Sequence, residues 1–210
     1  MKGKFITIEG IEGAGKTTCI SQIISIIQDS KIPFIQTREP GGTELGEEIR
    51  ELLLNTRKIG MSSDAELLLL FAARAEHLER VIHPALSNGT WVICDRFIDA
   101  SYAYQGEGRG IEHSRIKSLY KWIDKSLEPD LTLLLDLSVE QGFDRIQNRK
   151  ILDRFESEDI NFFQKVRKGY LDIAKFDPFR VKIVDSSRSL ENVKNDISII
   201  VKNFINEDSK

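Results

Sequence analysis

Apolar and polar positions change period repeatedly along this 210-residue chain. Short runs rich in β-branched and aromatic residues occur at 5–8, 34–37, 91–94, 131–137 and 180–184. Each has the length and composition of a strand. Between them apolar residues recur at helical spacing over 17–28, 45–54, 64–86, 111–125, 139–147, 161–175 and 190–205. In the first of these stretches Ile20, Ile23, Ile24 and Ile27 share one face. Strands that alternate with helices predict βαβ units. The expected fold class is α/β: a three-layer architecture with a five-stranded parallel sheet flanked by helices. Four leucines between Leu131 and Leu135 suit a strand covered on both sides. Segment 64–86 is apolar on more than one face, which predicts a deeply buried helix or one that also meets a second chain. There is no internal repeat or Pro/Ser-rich linker, so one domain over residues 1–210 is expected.

The first strand-to-helix junction carries chemistry. Gly10-Ile11-Glu12-Gly13-Ala14-Gly15-Lys16-Thr17 fits the G-x-x-x-x-G-K-[ST] phosphate loop. Glycines let the backbone N–H groups turn inward around phosphates, and the following helix adds its positive end. Lys16 is expected at the β/γ-phosphates of a nucleotide, and the Thr17 hydroxyl on Mg²⁺. Gly10, Gly13, Ala14, Gly15 and Thr18 complete the cradle. The fold expectation becomes that of a P-loop NTPase.

Charge changes the picture next. There are 30 Lys+Arg against 33 Asp+Glu, a formal net charge of −3. That argues against a chain whose whole surface attracts nucleic acid. No apolar run approaches the ~20 residues that span a bilayer. No signal-peptide pattern follows Met1, and Cys19 and Cys94 make no disulfide framework. A cytoplasmic protein without membrane or nucleic-acid partners is expected. A guanine-reading N-K-x-D segment and a D-x-x-G are both missing, which disfavours a GTPase switch. Instead, arginines mark the ends of predicted strands. Arg38 closes the second and opens Arg38-Glu39-Pro40-Gly41-Gly42-Thr43; Asp95-Arg96 closes the third. In a parallel sheet these ends open onto the ligand crevice. Arg38 and Arg96 are therefore expected in the same crevice as the loop, holding a second phosphorylated ligand. Asp95 suits a carboxylate that holds Mg²⁺, usually through water. Arg149 and Arg154 flank a polar stretch that suits a short lid over residues 148–157, where they would offset the charge of a transferring phosphoryl group. No general base stands out. A phosphate monoester, anionic at pH 7, needs none as acceptor.

These pieces together resemble the thymidylate kinase family. The resemblance rests on Glu9-Gly10 through Lys16-Thr17-Thr18, the Arg38–Thr43 segment and Phe71-Ala72-Ala73-Arg74-Ala75-Glu76-His77. Asp95-Arg96-Phe97 with Ala103-Tyr104-Gln105-Gly106, Pro129-Asp130-Leu131 with Asp136, Leu152-Asp153-Arg154-Phe155-Glu156, and Tyr170 complete it. It implies transfer of the γ-phosphoryl of Mg·ATP to dTMP, giving dTDP and ADP in dTTP synthesis, by a homodimer whose contact helices include 64–86. By position, Arg38 and Arg96 would bind the dTMP phosphate and Arg74 the thymine ring. Tyr104 would pack under the deoxyribose, and Gln105 would lie near the base. Glu12 marks a bacterial-type subclass in which the lid supplies the catalytic arginine. Arg149 matches that arginine, Lys16, Arg96 and Glu12 make up the rest of the catalytic set, and Arg154 would join the ATP phosphates. Two departures stand out. The family's thymine-stacking Phe position holds Leu70, with Phe71 one place on, and Phe71 is taken as the stacking residue. Its usual Ser holds Ala100, with Ser101 next.

Rival expectations remain: a related kinase with dUMP, dCMP or a nucleoside as acceptor, or a nucleotide-binding switch without a small acceptor. His77, His83 and His113 are expected as surface or packing residues, and Cys19 and Cys94 as buried hydrophobes. Trp91 and Trp122 are expected in the core, and 106–110 as a mobile loop beside the acceptor site.

Overall fold

The computed structural model describes residues 2–124, 127–146 and 153–208. Strands β1 (Phe5–Glu9), β2 (Phe34–Arg38), β3 (Trp91–Asp95), β4 (Leu131–Asp136) and β5 (Val181–Asp185) form one sheet in the order β2-β3-β1-β4-β5. All its ladders are parallel. β1 is central, in register Ile6↔Ile93 on one side and Ile6↔Leu131 on the other. Its alternating side chains feed two cores. Ile6 and Ile8 pack with Ile20, Ile23 and Ile27 of α1 (Lys16–Asp29) and Ile197 and Val201 of α9 (Leu190–Asp208). Phe5 packs with Leu67 and Phe71 of α3 (Ser63–His77) and Ile116 of α6 (His113–Ile123). Each fully buried Ile or Leu contributes about 1.5–3 kcal/mol relative to exposure. The five expected strands and their helical coverage are all present.

The expected single helix over 64–86 is three pieces. α3 runs into a π-helical turn at Leu78–Ile82 and then into α4 (His83–Ser87). Pro84 has no N–H to give, and the hydrogen-bond ladder widens in the turn before it. α2 (Glu44–Leu54) is capped by the Thr43 hydroxyl, which accepts from Gly46 N at 3.0 Å. α7 (Val139–Ile146) and α8 (Ile160–Phe176) complete that half of the chain.

Two expectations are corrected here. Residues 106–108 are not a loose loop. They end a helical segment that opens with α5 (Ile98–Ser101) and continues as a π-helix over Tyr102–Gly108. The glycines serve close packing instead. A Cβ on Gly108 would lie 2.6 Å from the Phe162 ring of α8, and one on Gly169 of α8 would lie 2.8 Å from the Glu107 side chain. Trp91 is buried as expected, but Trp122 is 83% exposed. The inward stripe of α6 runs Ile116, Leu119, Tyr120, Ile123, and residue 122 falls off that 3.6-residue repeat.

Candidate active site

The phosphate loop leaves β1 at Glu9 and enters α1 at Lys16. Gly13 (φ 76°) and Gly15 (φ 91°) are left-handed, a conformation that L side chains adopt at a cost. At Gly13 space is also lacking: a Cβ would sit 2.3 Å from the Gly142 carbonyl oxygen of α7. The loop thus lies backbone to backbone on α7. Arg145, further along α7, donates to the carbonyls of Gly13 (3.1 Å) and Ser186 (2.8 Å). Lys16 Nζ donates to the Gly10 and Ile11 carbonyls at 3.2 and 3.4 Å. It lies 3.8 Å from Glu12 Oε2. Burial and then the Arg96 charge hold its pKa below the usual lysine value. Thr17 and Thr18 are exposed on the first turn of α1.

Arg96 follows β3 in the left-handed region (φ 70°), a sparsely populated place for a bulky side chain. Its N–H donates to the Ile8 carbonyl (3.0 Å), which ties it to the strand beneath the loop. Arg96 Nη2 donates to Glu12 Oε2, and its guanidinium stands 4.6 Å from the centroid of the Tyr104 ring. The Tyr104 hydroxyl donates to the same Glu12 oxygen at 3.1 Å. Burial would raise the Glu12 pKa, but Arg96, Lys16 and the Tyr104 hydroxyl outweigh it and hold the carboxyl below its usual range.

Glu9 behaves oppositely. Fully buried at the end of β1, it accepts from Phe97 N and the Tyr170 hydroxyl, each at 2.7 Å. Burial first, and the Asp99 charge second, lift it from 4.5 to about 8. Tyr170 and Arg96 pull the other way without prevailing. The folded pKa lies above the unfolded one, so the folded state binds the extra proton. Stability should be full below about pH 4.5 and fall as pH rises to about 8. Glu9→Gln mimics the neutral carboxyl and removes that fall. Thermal melts of wild type and variant should therefore diverge from pH 5 to about 8, with wild type losing ground, and keep a constant gap above that. Curves parallel throughout would contradict the shift.

Beside these groups lies a cavity of about 90 Å³. Glu12, Arg96 and Tyr104 line it, together with Arg74, Ser101 and Gln105. Arg74 is buried and fixed by three bonds: Nε to Glu39 (2.7 Å), Nη1 to Ser101 (3.0 Å) and Nη2 to the Phe97 carbonyl (3.2 Å). His77 completes that inner layer, with Nδ1 3.1 Å from Glu39 and Nε2 2.6 Å from the Thr37 hydroxyl.

Several expected positions fall elsewhere. Leu70 and Ala100 line the cavity; Phe71 does not. Phe71 is buried in the core with Phe97, under the Arg74 guanidinium (4.9 Å). One residue of helix is a ~100° rotation, and α3 turns its larger side chain toward the sheet. Arg38 is half-exposed, donates to Glu47 (2.8 Å), and lines a neighbouring cleft with Thr17 and Asp95. The strand-end expectation thus brings Arg38 to Thr17 and Asp95 but not into the cavity with Arg96. Arg50, which sequence reasoning missed, lines the cavity instead and donates to the Pro40 carbonyl (2.9 Å). No motif in the sequence marks it, since it sits within α2. Arg154 makes no contact with the phosphate loop among the described residues. It donates to Glu66 (2.6 Å) and the Leu53 carbonyl (2.8 Å), because buried Glu66 requires a counter-charge. Arg149 and most of the expected lid lie outside the described residues.

Asp95 bears on a divalent cation. Its Oδ1 is buried with no hydrogen-bond partner among the described residues, and the residue lines the same cleft as Thr17. A carboxylate and a hydroxyl suit a hard cation that keeps phosphate and water as its other ligands. The residues fit Mg²⁺. Among the described residues, no helix is long and apolar enough to cross a membrane.

Comparison with known proteins follows the same line. A sequence model described as thymidylate kinase matches residues 8–197. The thymidylate kinase of Marinomonas sp. (strain MWYL1) is 53% identical over 197 residues, covering 94% of this chain and 93% of the relative. That of Nitrosomonas europaea is 49% identical over 203 residues, covering 97% and 94%. That of Ruthia magnifica is 51% identical over 201 residues, covering 96% and 98%.

Proposed function

The chain belongs to the thymidylate kinase family, and from that premise we propose that it transfers the γ-phosphoryl of Mg·ATP to dTMP, giving dTDP and ADP for dTTP synthesis. The observation that carries the mechanism is the position of Glu12. One carboxylate bridges Lys16 on the loop side and Arg96 on the cavity side. Lys16 meets the donor phosphates, cradled by the N–H groups of residues 13–18. Arg96 meets the acceptor phosphate, with Arg50 adding positive charge in the same cavity and Arg38 in the neighbouring cleft. Two anionic phosphates can then approach in line because fixed cations offset their repulsion. The acceptor phosphate has a second pKa near ~6 and needs no base at pH 7. Thr17 and Asp95 hold Mg²⁺, which when bound neutralises charge on the donor phosphates. Tyr104 packs against the sugar, and Arg74, Ser101 and Gln105 face the base. Leu70 takes the apolar side of the ring in place of the expected Phe71.

The same reading includes a cytoplasmic homodimer whose contact face includes α3, where Leu68 is exposed. A monomer mass in sedimentation would remove the dimer from it. The test of the function is ADP release from Mg·ATP with dTMP, dUMP, dCMP, dGMP and thymidine as acceptors. Strong preference for dTMP is expected, with weaker turnover of dUMP. A missing methyl costs only ~1–3 kcal/mol in an apolar pocket. Turnover of thymidine but not dTMP would sink the proposal.

A further inference from the structure

Glu66 takes no part in the chemistry above, yet it is fully buried, and three hydrogen bonds and one further ion-pair contact converge on it. Gln105 Nε2 donates to its Oε1 at 2.9 Å, and Arg109 Nε to the same oxygen at 3.2 Å. Arg109 Nη2 lies 3.1 Å and Arg154 Nη1 2.6 Å from its Oε2. Arg109 is itself held by Glu158, at 2.6 Å. The carboxylate is therefore clamped between two guanidiniums, one of them anchored in turn, and it presents only acceptor atoms to its third neighbour, the Gln105 amide.

An amide has a donor end and an acceptor end, and a buried carboxylate tolerates only the donor. Gln105 Nε2 must face Glu66. The carbonyl Oε1 accepts no hydrogen bond among the described residues, and Gln105 lines the cavity. We propose that Glu66 is a positioning residue that fixes the Gln105 amide so that the cavity offers an acceptor beside the Arg74 donors, and thereby selects nucleobases with an imide edge. This rests on the cavity being the base site of the acceptor. Thymine and uracil present a carbonyl acceptor and an N3–H donor, which match Arg74 and Gln105 Oε1. Cytosine presents an amino donor and an N3 acceptor, the reverse pattern. Bound in the same pose it would leave both protein groups unpaired.

The test is the ratio of kcat/KM for dTMP to kcat/KM for dCMP. Glu66→Gln lets either end of Gln105 turn inward, and the ratio should fall about 10-fold or more, the size expected when one buried polar group loses its discrimination. A residue that only supported the fold would lower both acceptors in proportion, and an unchanged ratio overturns the proposal. Should that variant fail to fold with two arginines short of a counter-charge, Glu66→Asp keeps the charge and withdraws it from Gln105 by one methylene. Its ratio should also fall, and an unchanged ratio again overturns the proposal. In the unaltered protein the Gln105 side-chain amide protons should exchange slowly with water, and fast exchange overturns the fixed orientation. Absence of dTMP turnover in the unaltered protein would instead mark failure of the proposed function itself, and the inference would go with it.

Discussion

Replacing Arg96 by alanine should lower kcat/KM for dTMP by about 10³-fold or more. Three properties of this side chain argue for so large a loss. Its guanidinium is already oriented, by Glu12, the Tyr104 ring and the Tyr170 hydroxyl (3.4 Å). Such a group acts without reorganising when charge develops, which is where electrostatic catalysis gains most. Burial alone would lower its pKa, but Glu12 and the neighbouring acidic groups outweigh that and hold it well above the usual value, so it stays charged throughout. Its backbone, at φ 70° and bonded to Ile8, sets where the side chain starts. Removing it also leaves Glu12 with weaker compensation, so thermal melts must accompany the kinetics. Arg96→Lys serves as the companion. It keeps the charge but loses the planar fork, and should recover only a small part of the rate. Near-normal kcat/KM in Arg96→Ala would remove Arg96 from the mechanism.

Phe71→Ala should cost about 3–5 kcal/mol of stability, as large-to-small changes of a buried aromatic do. In a chain of this length that is a fall in Tm of about 10 °C. The side chain is 3% exposed and packs among Phe97, Leu67 and Leu78. The same truncation also removes the ring on which the Arg74 guanidinium rests. Leu70→Ala gives the opposite pattern: little change in Tm, since Leu70 is only half-buried, and a raised KM for dTMP. Denaturation and steady-state kinetics on the two variants separate the roles. A Phe71→Ala protein with unchanged Tm and weaker dTMP binding would return the stacking role to Phe71.

The phosphate loop was legible because its chemistry is contiguous: eight residues, one junction, one spacing rule. The strands were legible because each is a short apolar run between turn signals, and their C-terminal ends did bring Arg38 and Asp95 side by side. Leu70 and Phe71 were harder. Both are apolar, both sit on α3, and only the rotation of that helix against the sheet separates cavity from core. Glu66 and Arg154 were misjudged or missed because an ion pair across 88 residues leaves no local pattern. Arg154 looked like a free lid cation, and a buried acid on a distant helix had already engaged it. Trp122 was expected inside on residue type alone, and a type preference yields to the facing of a helix.

The place of β1 at the centre of the sheet has a consequence for how this protein comes into being. The strand that launches the phosphate loop precedes its partners in the chain. One of its two neighbours, β4, lies 125 positions further on, as the Thr7–Thr132 hydroxyl contact records. Parallel pairings of that span form slowly, because a long loop must close before any contact compensates for the lost entropy. Residues 10–17 therefore wait through the synthesis of the long segment up to β4 without the full sheet that shapes them. The nascent protein carries its nucleotide loop before it has a nucleotide site, which forms only once β4 has arrived to enclose the strand beneath it.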